Sequence, residues 1–149
     1  MADRFLINGA DRQRTRQHGW AWVALCLALA LHVIDEAATD FLSVYNPAAL
    51  AIRDRLPFLP IPVFTFRVWL TGLIAAVGVL LVLSTFSFRG SRWMRLASYP
   101  FAILMLFNGL GHVAGSLYLQ RLMPGVYSAP LLLAASICLL VTTRRLRAR

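Results

Sequence analysis

Charged residues are scarce in this sequence. Only 14% of its 149 residues are charged and 59% are hydrophobic, whereas soluble domains average about 25% charged and about 45–50% apolar residues. A fold of this length exposes too much surface to bury such an apolar surplus in one core. The composition therefore argues against a soluble globular monomer and indicates a membrane protein.

Acidic residues are rarer still, and lysine is absent. The chain has six acids against 15 basic residues, all of them arginine, and no acid follows Asp54. A basic balance of this size often indicates a nucleic-acid partner. Here, however, the arginines lie at the edges of apolar runs, where lipid headgroups are the natural partners. We therefore expect contact with a lipid bilayer and not with nucleic acid.

Cysteine is rare as well. Cys26 and Cys138 are the only two, and both lie inside apolar runs. Their spacing excludes a zinc site built on cysteines, so we interpret both as small buried hydrophobic residues. The sequence also lacks a glycine-rich phosphate loop and a nucleophile elbow, which leaves other kinds of site to consider.

Long apolar runs are what the sequence has in abundance. A helix needs about 20 mostly apolar residues, with a range of about 17–25, to cross the hydrocarbon, and four runs meet this length. Neither the alternation of a membrane β-barrel nor an internal repeat is visible. We predict an all-α integral membrane four-helix bundle that forms one domain over residues 1–149. The predicted spans are 19–45, 63–88, 96–119 and 127–143, with an outer loop at 46–62 and a basic tail at 144–149.

The arginines also predict the orientation of the spans. Eleven of them lie before the first span, in the second connection or in the tail, and three lie in the other two connections. By the positive-inside rule, both termini are cytoplasmic. Because an arginine-only basic set is typical of GC-rich genomes, we expect a bacterial inner membrane.

The outer loop allows two interpretations. Pro47 can open a short helix through Leu56, and this helix would lie on the membrane surface as an interfacial cap. Alternatively, the proline-rich loop is an ordinary stiff linker. The sequence does not decide between them.

Ionisable residues inside the predicted spans are costly, so each needs an explanation. The first span has five polar residues whose steps of 3, 1, 3 and 1 place them on one helical face. They are His32, Asp35, Glu36, Thr39 and Asp40.

The second and third spans add polar residues at a similar depth. Asn108 and His112 lie four residues apart, on one face, and Arg67 lies near the outer end of the second span. At 1.5 Å per residue, His32 and His112 lie roughly 20 and 24 Å from the cytoplasmic surface. We therefore expect these residues to meet in the outer half of the bundle, and the cytoplasmic half to be nearly pure hydrocarbon.

Other residues near this level are candidates for packing or for contact with a substrate. Gly111 and Gly115 have the GxxxG spacing of close helix packing. We predict that four residues contact a substrate, with core packing as the alternative for the tryptophan: Arg67, Trp69, Asn108 and Tyr127.

Three interpretations of the polar cluster compete. In the first, His32, Glu36 and His112 ligate a divalent metal, zinc or iron, and Asp35, Asp40 or Asn108 supports them. In the second, a His–carboxylate pair moves protons on a lipid-soluble substrate without a metal. In the third, the cluster is structural: Arg67 neutralises an acid of the first helix, and Asn108 bonds across the interface.

The run His32-Val33-Ile34-Asp35-Glu36 resembles the His-x-x-Glu-Glu motif of the HXXEE-domain family. That family comprises small membrane proteins of undefined function, with a further histidine and a Tyr-x-Pro-Gly motif. His112 resembles the second histidine, and Leu122-Met123-Pro124-Gly125 occupies the place of the Tyr-x-Pro-Gly motif. Asp35 replaces the first glutamate and Leu122 the tyrosine, so a tyrosine hydroxyl would have to come from Tyr118 or Tyr127. The His-x-x-x-Glu spacing is also similar to that of emopamil-binding-type sterol isomerases.

Our leading hypothesis is a metal-dependent membrane enzyme, a hydrolase or isomerase, that acts on a lipid-like or amphiphilic small molecule. Asp35, Glu36 and Asp40 are the predicted catalytic residues, and His32, Glu36 and His112 the predicted ligands. The alternatives are a metal-free isomerase or hydrolase that uses His32 and Glu36, a non-enzymatic binder or transporter component, and an assembly partner of another membrane protein. A transporter component would require an oligomer.

Overall fold

The computed structural model describes residues 9–147, and this part of the chain forms five α-helices and no strand. They are α1 (Gly9–Ala38), α2 (Leu42–Arg55), α3 (Phe66–Phe88), α4 (Arg92–Leu119) and α5 (Ala129–Arg147). All except α2 are long and apolar enough to cross a membrane. The all-α membrane bundle predicted from the apolar runs is therefore confirmed. Arg4 and Arg149, which contribute to the orientation argument, lie outside the described residues.

The central helix of the bundle is α1. It packs against α3 and α5, and α5 also packs against α4. Trp22 and Leu25 of α1 and Met94 of α4 are almost inaccessible to solvent and belong to one continuous core. In contrast, α3 buries only Trp69 and Ser87, so it lies at the periphery and presents most of its apolar surface to the surroundings.

The spanning helices alternate in direction, so each end of the bundle gathers particular segments. At one end, α1 meets the turn between α3 and α4, where the Phe88 ring lies directly against Gly19. At the other end, the last turns of α1 meet the start of α5 through a bond between Asp35 and Ser128. We call the first the arginine end, after Arg89 and the other arginines there, and the second the site end.

The first helix ends earlier than the apolar run predicts. The run predicts a span to residue 45, but α1 stops at Ala38, and Asp40 adopts a left-handed conformation with φ 57°. The Phe41 N–H then bonds to the Glu36 carbonyl at 3.0 Å, which is the long hydrogen bond of a Schellman cap. Glycine usually occupies the left-handed position, but aspartate tolerates it, so the sequence gives no obvious stop here.

The next helix, α2, starts in this turn. Of the two interpretations of the outer loop, the structure agrees with the helix, because residues Leu42–Arg55 are helical. The position of this helix on the membrane surface stays a prediction. However, Pro47 lies inside the helix instead of opening it. Two contacts fasten α2 to the chain before α3: the Tyr45 hydroxyl donates to the Pro62 carbonyl, and the Asn46 amide bonds to the backbone of Phe64.

The expectation of a nearly pure hydrocarbon half at the arginine end is wrong. His18, Ser87 and Ser98 are inaccessible to solvent there. The Ser98 hydroxyl donates to the Met94 carbonyl at 2.8 Å, so the His18 Nε2–H donates to Ser98 at 2.9 Å. The Ser87 hydroxyl then donates to His18 Nδ1 at 2.8 Å. These three residues, which we call the His18 cluster, join α1, α3 and α4.

Within α4, the glycine that packs most closely is also not one of the predicted pair. A Cβ atom on Gly111 would meet nothing within 4 Å, and one on Gly115 would meet Met123 at an ordinary 3.4 Å. A Cβ on Gly109 would lie only 3.0 Å from the Leu133 side chain and 3.3 Å from the Ala129 carbonyl. The close approach of α4 to α5 therefore depends on Gly109.

Candidate metal centre

Three polar side chains meet at the site end. The distance from His112 Nε2 to Glu36 Oε1 is 3.1 Å, and that from His32 Nε2 to the same oxygen is 3.5 Å. One ligand atom from each of the three residues lies within 4.8 Å of the others. All three residues are buried, with at most 7% of their surface exposed. We call them the His32 cluster.

Two helices and one loop build this cluster. His32 and Glu36 lie four residues apart on α1, so they project from one face of the helix, and His112 comes from α4. The loop before α5 covers them at Gly125, whose φ is +82°. A Cβ atom at this position would lie 2.9 Å from the rings of both histidines. Only glycine combines this conformation with this approach.

Asp35 reaches a different partner from Glu36. Its Oδ2 atom accepts hydrogen bonds from the Ser128 N–H at 2.9 Å and from the Ser128 hydroxyl at 2.8 Å. Ser128 immediately precedes α5, and its carbonyl accepts a bond from Leu132. Asp35 therefore satisfies one of the free N–H groups at the start of a helix, where a negative charge is also favourable.

The same serine determines which nitrogen of His32 carries the proton. His32 Nδ1 lies 2.8 Å from the Ser128 oxygen. Because Ser128 has one hydroxyl proton and donates it to Asp35, the shared contact requires His32 Nδ1–H to be the donor. A neutral His32 consequently has a free lone pair on Nε2, which is the nitrogen next to Glu36. Asp35, Ser128 and His32 thus form a relay that prepares Nε2 as an acceptor.

Three buried polar atoms at this site have no hydrogen-bond partner among the described residues. They are His32 Nε2, His112 Nδ1 and Asn108 Oδ1. Buried polar atoms are normally paired, and an exception needs an explanation. A metal ion could complete His32 Nε2, because a neutral ring has a lone pair there and the neighbouring Glu36 oxygen is itself an acceptor when ionised.

Both distances from Glu36 and the charge of the cluster fit a divalent metal, and the three ligand atoms lie within 4.8 Å of one another. Metal–ligand bonds of about 2.0–2.2 Å place tetrahedral ligands about 3.3–3.6 Å apart, close to the 3.1 and 3.5 Å distances from Glu36 Oε1. Among the described residues, no arginine forms an ion pair with Asp35 or Glu36. A dipositive ion would balance the buried carboxylate of Glu36 and the half-buried carboxylate of Asp35, since an unpaired charge is costly to bury.

Three predicted site residues lie away from the cluster. Asp40 lies in the turn after α1 and is exposed, so it does not share the α1 face, because the helix ends before it. Arg67 is exposed on α3 and forms no ion pair with the described residues. The predicted neutralisation of an acid by Arg67 is therefore wrong. Tyr127 is 69% exposed.

The other two predicted contacts are closer to the cluster. Trp69 is 8% exposed and stacks against Phe41 at 5.8 Å between ring centroids. The Phe41 ring in turn lies 5.9 Å from the His112 ring. Asn108 lies one helical turn before His112 on α4 and is half-buried.

Sequence reasoning misses three residues that complete the site. In the sequence, Ser128 is one residue of the predicted fourth span, Gly125 only matches a motif, and Phe41 continues the predicted first span. Their contacts depend on tertiary structure, since Ser128 and Asp35 are 93 positions apart. The Pro124-Gly125 pair was the only sequence signal that pointed to any of these three residues.

A family model for proteins of unknown function with an HXXEE motif matches residues 22–139. The chain belongs to this family. No curated protein and no solved structure matches it.

The structure explains how this HXXEE chain departs from the motif. The aspartate at the first glutamate position, Asp35, reaches Ser128, as described above. Leu122 replaces the tyrosine and is 66% exposed, and the nearby Tyr118 and Tyr127 are 87% and 69% exposed. None of these three positions supplies a tyrosine hydroxyl to the buried cluster.

Proposed function

We propose that this protein is a metal-dependent membrane enzyme, with His32, Glu36 and His112 as the ligands of one divalent ion. The observation that carries this proposal is the relay from Asp35 through Ser128, which leaves the buried Nε2 lone pair of His32 directed at Glu36 without a partner. Two histidines and one glutamate form the ligand set of several catalytic zinc sites that keep a fourth position for water or substrate.

The reaction that best fits this ligand set is hydrolysis of an amphiphilic small molecule. When bound, the ion supplies Lewis-acid chemistry, which polarises a carbonyl or phosphoryl oxygen and makes water more acidic. Asp35 orients His32 through Ser128 and so acts as a positioning residue. The neighbouring Phe41 ring and the Gly125 backbone exclude bulk water from the cluster.

The location of the site supports an amphiphilic substrate. Four helices of this chain can span a membrane, and their apolar surfaces favour a lipid environment. The excess of arginine at the end opposite the site supports cytoplasmic termini, and hence a site near the outer surface of a bacterial inner membrane.

Metal content tests the proposal directly. The full chain, purified in detergent, is stripped with EDTA, reloaded with zinc and measured by mass spectrometry. We expect about one zinc per chain, with binding weakened at least 100-fold in His112→Ala, because removing one of three ligands leaves an incomplete site. Cobalt, loaded in the same way, should give a tetrahedral absorption band that is absent in the variant.

The matched control is His18→Ala, which removes another buried histidine, at the other end of the bundle. It should retain the zinc of the wild-type protein. Equal, near-zero zinc in the wild type and His112→Ala would overturn the proposal, and so would equal loss of zinc in both variants.

A metal-free enzyme is the second candidate, and one distance favours it. The 3.1 Å between His112 Nε2 and Glu36 Oε1 also fits an N–H···O hydrogen bond. Such a pair could transfer a proton on an apolar substrate, as an isomerase requires. The zinc measurement separates the two candidates, since this one predicts no bound metal and activity that EDTA does not change.

A further inference from the structure

A cavity of about 340 Å³ lies beside the His32 cluster, between α2 and α3. Four of its seven lining residues are aromatic: Phe41, Tyr45, Phe64 and Trp69. The remaining three are aliphatic or glycine, and none is charged. Its volume falls within the range of about 300–1,000 Å³ that is typical of small-molecule sites. We call it the aromatic cavity.

Specific hydrogen bonds hold the walls of the aromatic cavity in place. The Asn46 side chain donates to the Phe64 carbonyl at 2.9 Å and accepts from the Phe64 N–H at 3.1 Å. The hydroxyl of Tyr45 donates to the Pro62 carbonyl at 3.0 Å. These bonds fix α2 to the segment before α3, so the cavity is already formed in the protein without a ligand.

One wall residue connects the aromatic cavity to the candidate metal centre. Phe41 lines the cavity, and its ring lies 5.9 Å from that of His112. It belongs to the short turn between α1 and α2, where the backbone changes direction at Asp40. The cavity and the His32 cluster are therefore neighbours that share the Phe41 side chain as their boundary.

We propose that the aromatic cavity binds the hydrocarbon tail of the amphiphilic substrate, whose polar head is then held next to the His32 cluster. The assignment of the tail to a substrate rests on the function proposed above. At about 30 Å³ for each non-hydrogen atom, the volume of one water molecule in the liquid, the cavity accommodates roughly eleven such atoms. This corresponds to a medium-length chain or to part of a longer one.

The lining favours an apolar tail over a quaternary ammonium group. Aromatic cages bind cations through the faces of their rings. Here Phe41 stacks against both Tyr45 and Trp69, and Tyr45 also stacks against Phe64, with interplanar angles of 28°. The rings thus cover part of one another's faces, and no acidic residue lines the cavity to balance a cation.

Two glycines on α3 provide a matched test. Gly72 lines the aromatic cavity, and Gly78 does not. A Cβ atom would meet nothing within 4 Å at either position, and leucine is the better helix former by nearly 1 kcal/mol. Both Gly72→Leu and Gly78→Leu are therefore expected to fold, but only the first places a side chain at the cavity.

The probe is palmitic acid with a mid-chain diazirine, added to full-length protein in phosphatidylcholine vesicles. We expect light to label the segments around Phe41 and Trp69, with excess palmitate suppressing the labelling and tetramethylammonium leaving it unchanged. Gly72→Leu should reduce this labelling about tenfold and Gly78→Leu should not. Equal labelling in all three proteins, an equal reduction in both variants, or competition by tetramethylammonium would overturn the assignment.

Zinc content, measured on the same samples, separates the two proposals. If zinc is bound but Gly72→Leu does not change the labelling, the aromatic cavity does not bind a tail, whereas the metal function stands. If the wild type binds no zinc but the labelling responds to Gly72→Leu, the cavity binds a tail and the proposed metal function falls.

Discussion

The protein buries polar residues at both ends of its bundle, and the two sets differ in how completely their hydrogen bonds are satisfied. In the His18 cluster, both ring nitrogens bond to serine hydroxyls at 2.8 and 2.9 Å. In the His32 cluster, His32 Nε2 and His112 Nδ1 have no hydrogen-bond partner among the described residues. A polar group that is satisfied within the protein needs nothing further, whereas the two unpaired nitrogens of the His32 cluster are free to bind the metal ion proposed above.

This difference in hydrogen bonding also distinguishes two roles that the degree of burial alone does not distinguish. His18 and His32 are 0% and 1% exposed, and both lie on α1. His18 joins α1 to α3 and α4 through two neutral serines, which is the kind of interhelical bonding that stabilises membrane bundles. His32 bonds to a serine that is itself held by a carboxylate, an arrangement typical of metal-ligating histidines.

The largest expected difference between the two clusters is in how much zinc stabilises the folded protein when a histidine of each is replaced. At a free zinc concentration of 100 times the Kd, binding stabilises the folded state by about 2.7 kcal/mol. We expect this gain in the wild type and in His18→Ala, but not in His112→Ala. Unfolding of the detergent-solubilised protein by SDS, with zinc and with EDTA, measures it.

The same experiment tests the structural role of His18. In EDTA, His18→Ala should lower the free energy of unfolding by about 1–3 kcal/mol, because the buried Ser87 hydroxyl loses its acceptor. If zinc stabilised His112→Ala as much as the wild type, the contrast between the His18 and His32 clusters would be contradicted. An unchanged stability of His18→Ala in EDTA would contradict the role of the His18 cluster.

Substitution of Ser128 should have a smaller effect, because it leaves all three ligands in place. Loss of a hydrogen-bond partner behind a ligating histidine typically weakens metal binding about 10–100-fold. We expect Ser128→Ala to do so, since His32 Nδ1 and Asp35 lose the hydroxyl that joins them, although the N–H of residue 128 still bonds to Asp35. Competition with a zinc-binding dye measures the affinity.

Ser136→Ala is the control for this substitution. Ser136 is a buried serine of α5 whose hydroxyl donates to the Leu132 carbonyl of its own helix. The variant should bind zinc with the wild-type affinity. Equal affinities for Ser128→Ala and Ser136→Ala would show that the relay does not prepare His32.

The sequence predicts the spans and the His32 cluster because both depend on local patterns. Apolar runs define the helices, and the spacing of His32 and Glu36 places both on one helical face. The second histidine, His112, is marked by the cost of an ionisable residue in a span. His18 escapes this argument because it immediately precedes the apolar run from which the first span was defined, so that it was not counted as a membrane residue.

The features that the sequence does not predict depend on tertiary contacts or on an unusual conformation. The bond between Ser128 and Asp35 connects positions 93 residues apart, and no periodic pattern indicates such a pair. The end of α1 depends on an aspartate in a left-handed conformation, without the glycine or proline that usually marks a helix end.

Substitution of Asp40, at the end of α1, should have the smallest effect of the predicted changes. It also tests whether the metal centre extends beyond α1. Asp40 was predicted to be catalytic, but it is exposed, and its φ of 57° suits glycine better than any other residue. Asp40→Gly should therefore leave zinc affinity within about twofold and change the free energy of unfolding by less than about 1 kcal/mol. A large loss of zinc affinity in this variant, measured by dye competition, would extend the site beyond the end of α1. An unchanged affinity would confine the metal centre to residues that the bundle buries, in keeping with the contrast between its two ends.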